Sequence, residues 1–249
     1  MNIKMIVTYD GTRYFGWQKT KTGPSIQETL EKALSTLLKK PISIEAASRT
    51  DRGVHAKGQV AHFLLDQPRD LPRLIYSLNS LLPFDIRVLQ MEPIADDFHP
   101  TLQALSKEYQ YFICNRPVQD PKDRLYSWHI HEPLDVEAMR ECAKIMLGTH
   151  DFAAFTTIER EDTMRTLFAI HIIADPSELL EICIEGDRFL YKMMRRLAGT
   201  LVAAGKRKIS PKEISSLLET PNRTQAGMTA PAHGLFLYKV HFTTTRASL

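Results

Sequence analysis

The chain has 249 residues, 43% of them hydrophobic and 24% charged, with a net charge of +3. That length suits one large domain or two ordinary ones, and the composition excludes long low-complexity disorder. No run of eighteen apolar residues occurs and the N-terminus, Met1-Asn2-Ile3-Lys4, lacks a signal-peptide pattern, so no membrane span or secretion is expected.

The three cysteines, Cys114, Cys142 and Cys183, lie far apart with no C-x-x-C. This argues against a disulfide framework or a zinc site and points to the reducing cytoplasm. A net charge this small does not mark a nucleic-acid binder. Residues 189–208, however, hold six basic residues and no acidic one, a local density able to attract phosphates.

In chain order, residues 2–8 read as a strand closed by Asp10-Gly11. A helix follows from Ser25, with Glu28 completing a capping box and an apolar stripe of Ile26, Leu30, Ala33, Leu34, Leu37 and Leu38. Residues 42–47 and 59–65 read as strands, and the polar stretch Ser48 to His55 between them as an exposed loop. A helix over 71–81 and a strand over 86–92 complete the first half. In the second, strands are expected over 104–114, 165–174, 178–185 and 235–242, and helices over 135–146, 190–205 and 211–219.

Each half thus follows the outline of a β-α-β-β-α-β unit. The expected class is α+β, two similar ferredoxin-like (RRM-like) halves, 1–98 and 99–249, sharing a mainly antiparallel sheet.

Three groups of residues invite a chemical reading. In the loop, Asp51 stands between Arg49 and Arg52, and neighbouring positive charge keeps a carboxylate ionised. Such an Asp acts as nucleophile or base, and equally as an ordinary solvated turn residue. In the helix 190–205, Lys192, Arg195, Arg196, Gly199 and Lys206 lie opposite an apolar stripe. This is a phosphate-facing surface or a plain solvated face. In the strand 104–114, Tyr109, Tyr111 and Ile113 share one face, available for base stacking or for packing. No metal-ligand spacing, nucleotide-binding glycine motif or serine-nucleophile elbow occurs.

The phrase Arg49-Thr50-Asp51-Arg52-Gly53-Val54-His55-Ala56, with Gly58 to Phe63 after it, closely resembles the signature of the tRNA pseudouridine synthase A (TruA) family. So do the opening Tyr9 to Gln18, Ser25 to Glu28, Asp97-Phe98-His99, Tyr109-Gln110-Tyr111, His150-Asp151-Phe152, Met193-Met194-Arg195 with Gly199, and Thr229 to Leu235, in family order along nearly the whole chain.

The resemblance implies an isomerase that turns uridine into pseudouridine in and beside the anticodon loop of tRNA (positions 38–40), without metal or cofactor. It implies a homodimer and a central basic cleft. It implies Asp51 as catalytic aspartate and Arg195 as the arginine that pairs with it. Tyr109 is implied as the active-site tyrosine on the target base, and Arg49 as the residue that helps move that base out of its stack. Asp51 would act on the sugar as a nucleophile or by taking a sugar proton. The alternative is a tRNA-binding protein that keeps the fold without the activity. Departures from the family pattern, Pro100-Thr101 after His99 and Glu108 and Gln110 around Tyr109, touch auxiliary phosphate contacts.

Overall fold

The computed structural model describes residues 1–174 and 179–242, and packs into two compact units. The first is Met1–Leu105 together with the described residues from Phe236; the second is Ser106–Leu235. The sequence expectation divides the chain once, at 98/99. The packing divides it at 105/106 and again at 235/236, because the last strand returns to pair in the first unit. Among the described residues, no helix is long and apolar enough to cross a membrane.

In the first unit, β1 (Asn2–Tyr9) buries Ile3, Met5, Val7 and Tyr9 by strict alternation. It pairs antiparallel with β3 (His55–Leu64) on one side and β4 (Ile86–Ile94) on the other, so Met5 lies opposite both Ala61 and Met91. The short β2 (Glu45–Ala46) joins β3 at Glu45 and His62. The last strand, β10 (Leu235–His241), runs parallel to the start of β3, Phe236 opposite His55. That pairing draws His55 into β3, whereas the sequence places it at the end of the loop.

Helix α1 (Ile26–Leu38) starts where Ser25 accepts the Glu28 N–H at 3.2 Å. The reciprocal half of the expected capping box is replaced by a Glu28–Lys32 ion pair. The buried Glu31 accepts the Ile44 N–H at 2.9 Å and pairs with Lys19, tying α1 to the chain before β2. Helix α2 (Leu71–Leu81) matches its expected span, capped by Asp70.

The second unit holds an antiparallel sheet in the order β5 (Ser106–Cys114), β9 (Leu180–Gly186), β8 (Met164–Ile173), β7 (Gly148–Asp151), with β6 (Trp128–His129) parallel to β5. The expected strand 178–185 begins at 178, outside the described residues. Helix α3 (Val136–Ile145), capped by Asp135, packs on β8, on α4 (Met193–Gly205) and on α5 (Pro211–Glu219). α5 shows a complete capping box, Ser210 with Glu213.

Helix α4 corrects the expectation of a solvated basic face. Eleven of its residues are buried, from Met193 and Met194 through Arg196, Gly199 and Thr200 to Gly205. The loop 223–231 covers the polar side. Arg196 donates to the Arg223 carbonyl at 2.6 Å, and Thr200 accepts the Gly227 N–H at 2.9 Å. Lys206 pairs with Glu132 and Arg207 with Asp135. Arg196 and Lys206 are therefore engaged within the unit and are not a row of phosphate contacts. Gly199 does what its position suggests: a Cβ there would overlap the Met228 carbonyl oxygen. Helical periodicity reports one apolar stripe; it carries no information about a loop that packs on the other side.

Gly199→Ala is expected to force that loop off α4 and to cost about 1–3 kcal/mol of stability, as overpacking does. Urea unfolding of the variant beside the wild type measures it.

Candidate active site

The loop Ser48–His55 is fastened to the opening segment Tyr9–Gln18 by backbone and side-chain bonds together. Tyr9, 4% exposed, shares a hydrogen bond of 2.7 Å with the buried Thr50 hydroxyl. The Trp17 N–H donates to the Thr50 carbonyl at 3.0 Å, and the Gly53 N–H to the Tyr14 carbonyl at 3.3 Å. From the other end, the Gly11 N–H donates to His55 Nδ1 at 3.1 Å, and the buried His55 ring stacks on Phe236 with centroids 4.5 Å apart. Gln59, inside β3, donates to the Ser48 carbonyl at 2.6 Å.

This approach is close enough to forbid side chains. Gly11 lies against the Val54 carbonyl, and a Cβ on Gly16 would sit 2.5 Å from the Thr50 carbonyl oxygen. Gly16 also has φ +98°, in the region that L side chains avoid. The opening segment is itself anchored to the α2–β4 connection. Arg13 Nε and the Tyr14 hydroxyl both donate to the Asp85 carboxylate at 2.7 Å, and the Asp10 N–H donates to its carbonyl at 2.9 Å. Burial, with Asp85 beside it, raises the Tyr14 phenol well above its ordinary range.

What the loop holds up is Asp51. The Val54 N–H bonds back to the Asp51 carbonyl at 3.1 Å, and Gly53, at φ +77°, takes the turn's left-handed position. Thr50 and Val54 point inward and are buried; Asp51 between them is half-buried. Arg49 and Arg52 flank it on the exposed side. Arg52 lies over the Phe15 ring at 4.2 Å, while no hydrogen bond or ion pair holds Arg49 among the described residues. Asp51 therefore sits on a short, tightly tied turn with two cationic neighbours in sequence.

In the second unit, Arg195 stands in the first turn of α4. Its Nε donates to the Ala230 carbonyl at 2.7 Å, and the Ala230 N–H returns a bond to the Arg195 carbonyl at 3.1 Å. The loop through Ala230 is held in turn by Tyr111, whose hydroxyl donates to the Pro231 carbonyl at 2.8 Å. Burial raises the Tyr111 phenol, so this proton stays in place across the working pH range. Tyr109, on the same face of β5 as Tyr111, is 6% exposed and meets the edge of Phe189 with centroids 4.9 Å apart. Each unit thus brings together its own part: Asp51 and Arg49 on one loop of the first, Tyr109 and Arg195 around α4 and β5 of the second.

Sequence reasoning misses the supporting roles of Tyr9, Thr50, Gly11 and Gly16, and leaves Tyr111 open between base stacking and packing. The one signal available is the pair of glycines in the opening segment, which has meaning only once a second backbone lies against them.

Arg49, Asp51 and Arg195 lie within the stretches that match a known family, and Tyr109 lies between those stretches. The family model described as tRNA pseudouridine synthase matches residues 5–101 and 142–243. A tRNA pseudouridine synthase A 2 of Protochlamydia amoebophila is 47% identical over 244 residues, covering 96% of this chain and 93% of the relative. A tRNA pseudouridine synthase A of Bacillus subtilis is 43% identical over 248 residues, covering 97% and 99%. Among solved structures, an archaeal box H/ACA sRNP Nop10–Cbf5 complex matches at a TM-score of 0.39 and 13% identity, over 81% of this chain and 43% of that one. The class is that of the enzymes that make pseudouridine in tRNA. The chain belongs to the tRNA pseudouridine synthase A (TruA) family.

Tyr9→Phe keeps the packed ring and removes the bond to Thr50. It is expected to lower stability by about 1 kcal/mol and turnover several-fold with tRNA affinity unchanged. Thermal unfolding and single-turnover kinetics test the two parts.

Proposed function

We propose that this tRNA pseudouridine synthase modifies uridines in and beside the anticodon loop, with Asp51 as its catalytic carboxylate. The observation that carries the reading is the tied loop. A half-buried carboxylate between two arginines, raised on a turn that two glycines and Tyr9 lock in place, is preorganised for attack at a single point. A solvated turn residue needs no such support.

The reaction exchanges one bond for another. The N1–C1′ bond of uridine breaks, the uracil turns, C5 bonds to C1′, and the C5 proton leaves as N1 gains one. Oxidation state is unchanged. Asp51 starts the cleavage, as nucleophile at the sugar or by removing a sugar proton. Arg195 is assigned to hold Asp51 ionised and oriented. Its Nε bond to Ala230 sets the direction of the guanidinium fork. Tyr109 is assigned to stack on the extruded uracil and to assist loss of the C5 proton. Arg49, exposed beside Asp51, is assigned to stabilise the extruded conformation, whose formation costs a few kcal/mol.

The same reading includes two ferredoxin-like halves with a basic cleft, a homodimer that grips tRNA across both subunits, and a cytoplasmic setting. The order β4-β1-β3 with β2 on the outer edge of β3 supports the ferredoxin-like description of the first half.

With tRNA tritiated at uridine C5, the wild type is expected to release tritium. Asp51→Ala is expected to lose about 10³-fold or more in rate while binding tRNA within a few-fold of the wild type. An anticodon stem-loop alone is expected to serve as substrate. Tight tRNA binding with no release by the wild type would overturn the assignment.

A further inference from the structure

We propose that Lys107 binds the backbone phosphate next to the uridine under modification, while the base lies on Tyr109. The proposal rests on the reading of Tyr109 as the stacking residue.

Lys107 is 9% exposed, and among the described residues no hydrogen bond or ion pair engages its ammonium. Burial covers the aliphatic stem, and a lysine held in this way presents its ammonium at the opening that remains, where an anion can reach it. Alternation along β5 puts its side chain on the face of Tyr109, two residues and about 7 Å along the strand. That spacing is comparable to the reach from a base to its own phosphate.

The surroundings are short of negative charge. Lys107 pairs in the sheet with Gly186. After Gly186 the chain turns through Asp187 and Arg188 to Phe189, whose ring lies against Tyr109. The acid that acts on Lys107, Asp187, is turned to the backbone. Its Oδ1 accepts the Thr166 N–H at 3.0 Å and the Arg188 N–H at 2.6 Å. Arg188 adds a second cation, largely exposed and only loosely paired with Asp162 at 3.8 Å. Burial, then Arg188, lower the Lys107 ammonium to about 8, with Asp187 acting the other way. At neutral pH it remains mostly protonated, a poorly solvated cation beside another cation. The anion that this enzyme's substrate offers at every nucleotide is a phosphate, which a lysine binds as a point charge.

The test compares wild type, Lys107→Met and Lys107→Arg for tRNA affinity across a potassium chloride series. Lys107→Met is expected to lose about tenfold at low salt, and the slope of log affinity against log salt is expected to fall by about one unit. Lys107→Arg should restore the slope. A stem-loop with one neutral methylphosphonate beside the target uridine should weaken wild-type binding similarly and Lys107→Met no further. A Lys107→Met variant that folds and keeps the wild-type slope overturns the proposal. If it does not fold, judged by circular dichroism, Lys107→Gln is read in its place. A reduced slope, combined with wild-type binding and turnover in Tyr109→Ala, supports the phosphate contact and overturns only the role of Tyr109.

Discussion

The catalytic loop depends on a backbone-to-backbone approach that only glycine allows. Gly11 against Val54 and Gly16 against Thr50 bring the opening segment so near the loop that main-chain bonds form across the gap. Because those bonds use carbonyl and amide groups of Thr50, Gly53 and Tyr14, they fix the path of the loop itself rather than one side chain on it. Asp51 inherits that rigidity. A reacting group held in this way avoids the entropy of being positioned at each turnover, and misplacement of about 1 Å can cost a hundredfold in rate.

The second unit uses the same device for another residue. Gly199 and Gly227 let the loop 223–231 lie flat on α4, where Ala230 exchanges two bonds with Arg195 and Pro231 takes the Tyr111 hydroxyl. An arginine fixed through Nε has a defined fork direction, which a solvated arginine lacks. The burial of Arg196 beneath the same loop is part of this support. The basic stretch that first suggests a phosphate surface is thus partly internal scaffolding, and Lys107, whose stem is buried and whose ammonium has no ion pair among the described residues, stands outside that stretch.

Much of the fold is legible from periodicity and capping. α2 and α5 fill their expected spans, 71–81 and 211–219, and each starts at a side-chain cap, Asp70 and Ser210. β1 and β5 alternate cleanly because one face of each is buried. What local pattern cannot show is tertiary. The capture of His55 into β3 depends on β10, nearly two hundred residues later, and the burial of α4 depends on a loop with no periodicity. Short β6 and β7 exist only as partners of β5 and β8. The site was legible through motif resemblance, not composition: Arg-Thr-Asp-Arg alone describes a surface turn equally well. Tyr9 and Thr50, which separate the two readings, meet only in the folded chain.

The central claim is that the opening segment holds Asp51 ready for chemistry, and Gly16→Ala tests it most directly. Its Cβ would press on the Thr50 carbonyl and on the backbone of Asp51 and Arg52 while leaving the Asp51 carboxylate chemically unchanged, and φ +98° adds backbone strain. Single-turnover pseudouridine formation is expected to fall by about a hundredfold, with tRNA affinity within a few-fold of the wild type. A folded Gly16→Ala enzyme that forms pseudouridine at the wild-type rate would contradict the account.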